Sequence, residues 1–100
     1  MKIDLNLLPV FLAVAEERNF SAAAARLDVT RSAVSQGIRR LEDAFGTMLV
    51  MRTTRSVTLT EAGERLRQSL SSPLSSIEAA FEEVASDVMP RSEERRVGKE

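Results

Sequence analysis

Hydrophobic residues recur every three or four positions along most of this chain, which is the spacing of one face of an α-helix. The first such stretch predicts a helix from about Leu7 to Arg18. Asn6 is its expected N-cap, and Pro9 falls in the first turn, where a missing N–H costs little. Its apolar stripe comprises Leu8, Phe11, Leu12 and Ala15. We therefore expect this helix to bury one side in a helical domain.

A second helix is predicted from Phe20 to Leu27, with Ser21 as its cap. Its four consecutive alanines allow close packing against neighbouring helices. A tight break at Asp28-Val29 then separates this helix from the next one. Two helices joined by such a short connection predict a helix-turn-helix.

The third helix is predicted to begin after Thr30, its N-cap, and to end at Gly46, a left-handed stop. Its apolar residues, spaced four, three and four apart, are Val34, Ile38, Leu41 and Phe45. At about 100° per residue, the opposite side carries Ser32, Gln36 and Arg39. These donors and acceptors are of the kind that read base edges in the major groove of DNA. The third helix is thus a candidate DNA reader.

Gly37 lies inside the same predicted helix, where glycine costs roughly 1 kcal/mol relative to alanine. A glycine here allows close backbone approach either to DNA or to the second helix. The pattern does not choose between the two.

The stretch from Met48 to Thr60 changes character and predicts a β-hairpin. Four apolar residues flank a polar, basic turn over 52–56, namely Leu49, Val50, Val57 and Leu59. The turn lacks the Asn-Gly pair that would make a hairpin secure, so the pattern alone leaves this element open.

Helical spacing returns after Thr60, which is the expected N-cap, with Glu61 and Glu64 favouring the positive end of a helix. The apolar positions are Leu66, Leu70, Leu74, Ile77, Phe81, Val84 and Val88. One helix over 61–88 would be about 42 Å long, more than a small domain covers, so its apolar face predicts a partner helix. Pro73 should kink or restart this helix, and the alternative is two separate helices folded onto one core.

Composition limits the chemistry of the chain. Its 100 residues make one domain, and with 43% hydrophobic residues, no Trp or Tyr and four Phe, its core must be aliphatic. The absence of Cys excludes disulfides and thiolate metal sites and suits a reducing cytosol. Without His, hydrolase triads and zinc sites are disfavoured, so we expect neither an enzyme nor a metal or other cofactor. No signal peptide or membrane span is visible, because Asp4, Glu16 and Glu17 interrupt the first apolar stretch.

Net charge is −1, which at first argues against a nucleic-acid partner. The balance is nevertheless +2 over residues 1–60, −4 over 61–90 and +1 over 91–100. Between positions 26 and 60, six Arg stand against three acidic residues. A phosphate-facing surface needs local rather than global positive charge, although an ordinary solvated surface is the alternative interpretation.

The last ten residues, RSEERRVGKE, match nothing before them in pattern. The codons AGA TCG GAA GAG CGT CGT GTA GGG AAA GAG, from a common sequencing adapter, encode them in full. Our hypothesis is that residues 91–100 are an assembly artefact, and such a segment is left out of fold reasoning. The alternative is a disordered charged tail, and finding these codons intact in the genome would support it.

Three segments together resemble the N-terminal region of LysR-type transcriptional regulators, over residues 4–90: LNLLPVFLAVAEERNFSAAAARL, VTRSAVSQGIRRLE and RTTRSVTLTEAGERL. The resemblance implies a mainly α fold, with a winged helix-turn-helix over 1–60 made of a three-helix bundle and a β-hairpin wing. A linker or dimerisation helix over 61–90 would follow and would pair two subunits into a homodimer or tetramer.

The resemblance further implies a cytoplasmic, mostly bacterial transcription factor that binds promoter DNA sequence-specifically. Its recognition helix would enter the major groove and its wing the adjacent minor groove. Family members carry a C-terminal domain that binds a small effector, and this chain stops before it. We therefore expect an effector only in a full-length protein, and no membrane partner.

The resemblance assigns base reading to Arg31, Ser32, Ser35 and Gln36. Arg31 and Ser32 stand where the family often has Gln-Pro. Because Arg pairs with guanine and Gln with adenine, Gln36 is a candidate for adenine and Arg31 for guanine or phosphate. Ser35 has an alternative role, a hydrogen bond back to a helical carbonyl.

Phosphate or wing contacts are assigned to Ser21, Thr30, Arg39, Arg40, Arg52, Thr53, Thr54 and Arg55. Arg55 occupies the wing tip, where a narrow A·T-rich minor groove attracts arginine. Arg39 and Arg40 could instead pair with Glu42 or Asp43. The family commonly has Phe at position 50, so Val50 predicts looser wing packing.

Two functions from different classes remain. The leading one is dimeric, sequence-specific DNA binding. The second is a helical interaction module that dimerises through the helix after Thr60 without specific DNA affinity, which suits the acidic balance of residues 61–90. An enzymatic function is the third and least favoured interpretation, because no set of residues indicates a particular reaction.

Overall fold

The computed structural model describes residues 2–53 and 56–88. In chain order the elements are a 3₁₀ helix Leu5–Leu7, α1 Leu8–Glu17, α2 Phe20–Leu27, α3 Arg31–Phe45, β1 Val50–Arg52, β2 Val57–Leu59 and α4 Glu61–Val88. The fold is mainly α, a winged helix-turn-helix followed by a long helix, which confirms the predicted class. The chain divides into two compact units, residues 1–67 and 68–100. The predicted tail over 91–100 lies outside the described residues.

The core of the first unit lies between α1, α2, α3 and the hairpin. Its largest fully buried side chains are Phe11, Val14, Val34, Ile38, Leu41, Leu49 and Val50. Apart from Phe11 these are aliphatic, as the composition predicts. In α1, Phe11 and Ala15 are buried as expected, whereas Leu8 and Leu12 are half-buried and Val14 was missed. Several elements pack around α1, so more than one of its faces is covered.

The start of α1 corrects one prediction. Asn6 is not an N-cap: its backbone N–H donates to Asp4 Oδ1 at 2.9 Å, inside the preceding 3₁₀ helix. The chain enters α1 already in a helical conformation at Leu7, which provides no side-chain cap. Pro9 does occupy the first turn, as predicted.

The start of α2 corrects a second prediction. Asn19, rather than Ser21, is the N-cap: its backbone is extended and its Oδ1 accepts the N–H of Ala22 at 2.7 Å. Ser21 already lies inside the helix. The predicted break after α2 is confirmed, because Asp28 takes a left-handed conformation with φ of 59°.

Both ends of α3 agree with the sequence. Thr30 Oγ1 accepts the N–H of Ala33 at 3.0 Å, and Gly46 ends the helix with φ of 75°. The nearest neighbours of Gly37 do not lie in the predicted second helix. Gly37 is buried, and a Cβ there would lie 3.2 Å from Val10 Cγ1 and 3.5 Å from Leu7 Cδ2. The tight contact is thus with α1 and the turn before it.

The β-hairpin, whose existence the sequence pattern alone did not decide, is present. Its antiparallel register pairs Val50 with Leu59 and Arg52 with Val57. Alternation along the strands buries Val50, Val57 and Leu59. Val50 is fully buried at the start of the wing.

A carboxylate joins α3 to the first strand of the hairpin. Glu42 Oε2 accepts the backbone N–H groups of Leu49 at 2.8 Å and of Val50 at 3.2 Å. These two donors come before and at the start of the short sheet, so the ladder alone would leave them without partners. The contact holds the wing against α3.

A hydrogen bond and close packing hold the start of α4 against the hairpin. Thr60 Oγ1 accepts the N–H of Gly63 at 3.1 Å, which confirms the predicted cap, and donates to the Met48 carbonyl at 2.7 Å. Gly63 is buried, and a Cβ there would lie 2.1 Å from the Leu49 carbonyl oxygen. This position therefore has no room for any side chain.

In the second unit, α4 continues through Pro73 to Val88 without a break. The predicted restart and the alternative of two separate helices are therefore wrong. The apolar spacing on either side of Pro73 stays in register with one helix, which continues despite the hydrogen bond lost and the carbonyl clash that an interior proline causes. Four large apolar side chains near the end of α4 are exposed, namely Ile77, Phe81, Val84 and Val88. No helix among the described residues is long and apolar enough to span a membrane.

Candidate nucleic-acid interface

The two sides of α3 differ as predicted. Val34, Ile38 and Leu41 are fully buried, whereas Ser32 and Gln36 are exposed on the opposite side. Gln36 Nε2 donates to Ser32 Oγ at 3.4 Å, one turn apart on the same face. The exposed face thus offers amide and hydroxyl groups held on a rigid helix.

Ser35 lies at the edge of this face and is half-buried. Within the part of the chain that the structure describes, its side chain forms no hydrogen bond. The alternative role, a bond back to a helical carbonyl, is therefore not observed. Its hydroxyl remains available to a ligand.

Arg39 and Arg40 are exposed on α3 and take part in none of the ion pairs among residues 2–53 and 56–88. The alternative that they pair with Glu42 or Asp43 is therefore not observed. Glu42 is instead engaged with the backbone of the hairpin. Both arginines are free to meet an anionic partner.

Arg26 shows the opposite behaviour. Its guanidinium forms ion pairs with Glu16 at 2.6 Å and Glu17 at 3.4 Å. The hydrogen bond from Arg26 to Glu16, together with the charge of that carboxylate, raises the pKa of Arg26. This arginine belongs to an acidic cluster and not to the candidate interface.

Two concave surfaces lie where the starts of α2 and α3 meet the end of β1. The first, of about 240 Å³, is lined by Asn19, Phe20, Ser21, Arg31, Arg52, Thr53, Ser56 and Val57. The second, of about 380 Å³, is lined by Phe20, Arg31, Ser32, Ser35 and Arg52. Together they gather six predicted site residues. Neither is lined by Thr30, Gln36, Arg39 or Arg40, while Thr54 and Arg55 lie outside the described residues.

Phe20, Arg31 and Arg52 line both concave surfaces. The guanidinium carbon of Arg52 lies 4.8 Å from the centre of the Phe20 ring, which is cation–π geometry. Sequence reasoning treated Phe20 only as the start of a helix. No local pattern links two residues so far apart along the chain, so this contact had no sequence signal.

Two candidates hold the local structure. Thr53 closes the hairpin turn: its Oγ1 donates to the Ser56 carbonyl and accepts the Ser56 N–H, both at 3.0 Å. Thr30 Oγ1 caps α3. Ser56, which the predictions omitted, belongs to the same turn. Among the described residues no cluster of His, Cys, Asp and Glu could hold a metal ion.

These features define a winged helix-turn-helix protein with a polar, basic face on its third helix. The family described as "Bacterial regulatory helix-turn-helix protein, lysR family" matches residues 5–64. The chain therefore belongs to the lysR family of bacterial regulatory helix-turn-helix proteins.

Curated relatives agree with this assignment. The HTH-type transcriptional regulator PgrR of Escherichia coli K12 is 51% identical over 74 residues, which are 74% of this chain and 25% of that protein. The regulator BudR of Klebsiella aerogenes is 44% identical over 80 residues, or 80% of this chain and 56% of that protein. The chain thus spans about a quarter to about half of the length of these two relatives.

Solved structures include relatives bound to DNA. DarR of Vibrio fischeri, in complex with DNA, is 35% identical with a TM-score of 0.73, over 86% of this chain and 30% of that one. The DNA-binding domain of CbnR, also in complex with DNA, is 28% identical with a TM-score of 0.74, over 87% of this chain and 100% of that one.

Proposed function

We propose that this chain is the DNA-binding part of a cytoplasmic transcriptional regulator and reads promoter DNA sequence-specifically as a homodimer. One observation carries the proposal. Helix α3 is anchored by a fully buried aliphatic side and presents Ser32 and Gln36 to solvent, beside a concave surface with two arginines. A helix with this division of its surface fits the major groove.

Base reading is proposed for the exposed side of α3. Gln36 suits adenine, because its amide can donate a hydrogen bond to adenine N7 and accept one from the N6 amino group at the same time. Arg31 suits guanine or a phosphate, and Ser32 and Ser35 add shorter contacts at the same end. The hydrogen bond between Gln36 and Ser32 supports this assignment, since it keeps both side chains on one face.

Backbone contacts are proposed for the surrounding residues. Arg39, Arg40 and Arg52 are exposed cations without a carboxylate partner among the described residues. Ser21 and Thr53 line the first concave surface and would approach phosphates. Arg55 would reach the adjacent minor groove. Such contacts set the register on the duplex and make binding salt-dependent.

Dimerisation is proposed through α4. In the second unit, exposed apolar side chains line a shallow groove of about 430 Å³. Its lining residues are Phe81, Val84, Ala85 and Val88. Apolar residues at helical spacing favour pairing with another helix. A dimer, or a tetramer made of two dimers, would place its recognition helices on half-sites about 34–36 Å apart or at a multiple of that distance.

The division of labour follows from these assignments. Residues 1–60 would bind DNA, and residues 61–90 would link and pair the subunits. The relatives are transcriptional regulators by name, which supports a regulatory and not an enzymatic role. A small-molecule effector would act only on a full-length protein.

Selection of bound sequences from a random DNA pool tests the proposal. We expect one enriched sequence with two-fold symmetry, and a scrambled duplex should compete poorly for the chain. Recovery of DNA in which no sequence is enriched over the starting pool would contradict specific binding.

The second candidate function, a helical interaction module, rests on the exposed apolar residues of α4. It predicts dimers in sedimentation experiments together with equal competition by the selected and the scrambled duplex. Both candidates predict dimers, so the competition between the selected and the scrambled duplex separates them.

A further inference from the structure

Arg52 has an unusual environment for an exposed arginine. Its guanidinium lies over the face of Phe20, the first residue of α2, with 4.8 Å between the guanidinium carbon and the ring centre. Phe20 is only 6% exposed, so its ring is a fixed platform. No carboxylate pairs with Arg52 in the described part of the chain.

The backbone on both sides of this contact is held at one corner. Arg52 pairs with Val57 in the hairpin, and the N–H of Val57 donates to the Arg18 carbonyl at 3.1 Å. Arg18 is the left-handed residue that ends α1, two positions before Phe20. The end of the strand and the start of α2 are therefore tied together, which keeps the ring and the guanidinium in register.

Contact with the ring restricts the arginine, and within the described residues its side chain donates no hydrogen bond. The five N–H groups of the guanidinium are therefore open to an anion. An arginine that is already ordered loses less side-chain freedom when it meets an anion. Arg31 lines the same two concave surfaces, so a second cation faces the same space.

We propose that Phe20 is a positioning residue, which holds Arg52 ready for one DNA phosphate that Arg31 also approaches. This inference rests on the proposed function, because it assumes a DNA partner. It adds that a buried aromatic ring, which does not itself contact the duplex, determines part of the affinity of Arg52 for the phosphate.

A double-mutant cycle tests the role of Phe20. The full chain and its Phe20→Leu, Arg52→Ala and doubly substituted forms are titrated with a random-sequence duplex between ~50 and ~200 mM KCl. Arg52→Ala should lower the salt slope by about 1, which is the loss of one phosphate contact. Phe20→Leu should weaken binding about 2- to 5-fold and lower the slope by part of that amount.

The combined variant decides the question. We expect Phe20→Leu to have no further effect once Arg52 is alanine. Equal weakening in both backgrounds would show a merely structural role and would overturn the inference while leaving DNA binding intact. Absence of salt-dependent binding by the unsubstituted chain would overturn this inference and the proposed function together.

Two controls accompany the cycle. Phe11→Leu makes the same change at a fully buried phenylalanine that holds no arginine, and it should leave the salt slope unchanged. Phe20→Tyr keeps an aromatic face and should restore the coupling to Arg52.

NMR on the free, unsubstituted chain tests the contact even if Phe20→Leu does not fold. We expect the Arg52 Cδ protons to show an upfield ring-current shift and nuclear Overhauser contacts to the Phe20 ring. Unshifted Cδ protons without such contacts would overturn the inference.

Discussion

The two units of this chain differ in how far their apolar side chains are buried. In the first unit, seven large apolar side chains are almost completely buried, although Met48 and Met51 are exposed. In the second unit, Ile77 is 49% exposed and Phe81 72% exposed. Both units show apolar residues at helical spacing, so spacing alone does not tell whether a face is covered by its own chain.

The difference lies in the number of elements available. Three helices and a hairpin surround the core of the first unit, whereas α4 is the only element described in the second. Apolar surface left in water favours association by about 25 cal/mol per Å² buried. The first unit thus covers its core with its own elements, whereas the second leaves apolar surface for the partner chain that we propose.

Gly63→Ala should break the first unit most severely. A Cβ at this position would lie 2.1 Å from the Leu49 carbonyl oxygen, so either the hairpin or the start of α4 must move. We expect a loss of about 3 kcal/mol or more in the free energy of unfolding, since backbone cannot rotate away as a side chain can. Thermal unfolding followed by circular dichroism should show a melting temperature lower by about 12 °C or more.

Gly37→Ala is the matched control. It makes the same substitution in a helix, but the nearest foreign atom is a side-chain methyl of Val10 at 3.2 Å, which can shift. The gain in helix propensity of about 1 kcal/mol should offset most of the crowding. Equal destabilisation by the two substitutions would show that the contact of Gly63 with the hairpin is unimportant.

Phe81→Ala should break the second unit's association and spare the first unit. Burying a phenylalanine contributes about 1.5–3 kcal/mol, and a symmetric dimer buries two copies. We expect the dimer dissociation constant to rise about a hundredfold or more. Sedimentation equilibrium measures it, with Ser76→Ala, an exposed polar position of the same helix, as the control. An unchanged dissociation constant would remove Phe81 from the interface.

Gln36→Ala should change specificity without changing association. We expect discrimination at one or two base pairs to fall by about 1–3 kcal/mol, because a bidentate base contact is lost. Arg52→Ala is the control and should weaken binding to all sequences alike. Mobility shifts across single-base variants of the selected site give both results. Uniform weakening by Gln36→Ala would contradict its base-reading role.

Asn19→Ala should have the smallest effect, confined to the start of α2. Loss of an N-cap costs about 1 kcal/mol, so the free energy of unfolding should fall by about that amount. Ser21→Ala, inside the helix, should change it by no more than a few tenths of a kcal/mol, about the size of a surface substitution. Urea unfolding measures both, and the reverse ranking would restore Ser21 as the cap.

The sequence allowed most elements of the first unit to be predicted, because several signals agree there. In α3, the cap Thr30, the apolar stripe and the stop at Gly46 all indicate the same helix. The structure confirms the cap, the stop and the burial of the stripe, except that Phe45 is only half-buried. The predictions that Asn6 and Ser21 are N-caps were wrong. Capping residues lie next to other polar residues, and the pattern does not resolve a shift of one or two positions.

Contacts between distant segments were beyond the sequence. Gly37 was placed correctly in α3, but its neighbour Val10 lies on α1, and only packing brings the two together. The Phe20–Arg52 contact is of the same kind. Helical periodicity placed Ser32 and Gln36 on the exposed side of α3, and the family resemblance singled out Arg52. The aromatic ring beneath Arg52 was predicted by neither.

Methylation interference on the selected duplex tests most directly whether the exposed side of α3 enters the major groove. Dimethyl sulfate methylates guanine N7, which projects into that groove. We expect interference at two symmetric patches, separated by about 34–36 Å or a multiple of it, and loss of affinity where Arg31 meets guanine. Binding that tolerates N7 methylation throughout the site would contradict major-groove reading by α3.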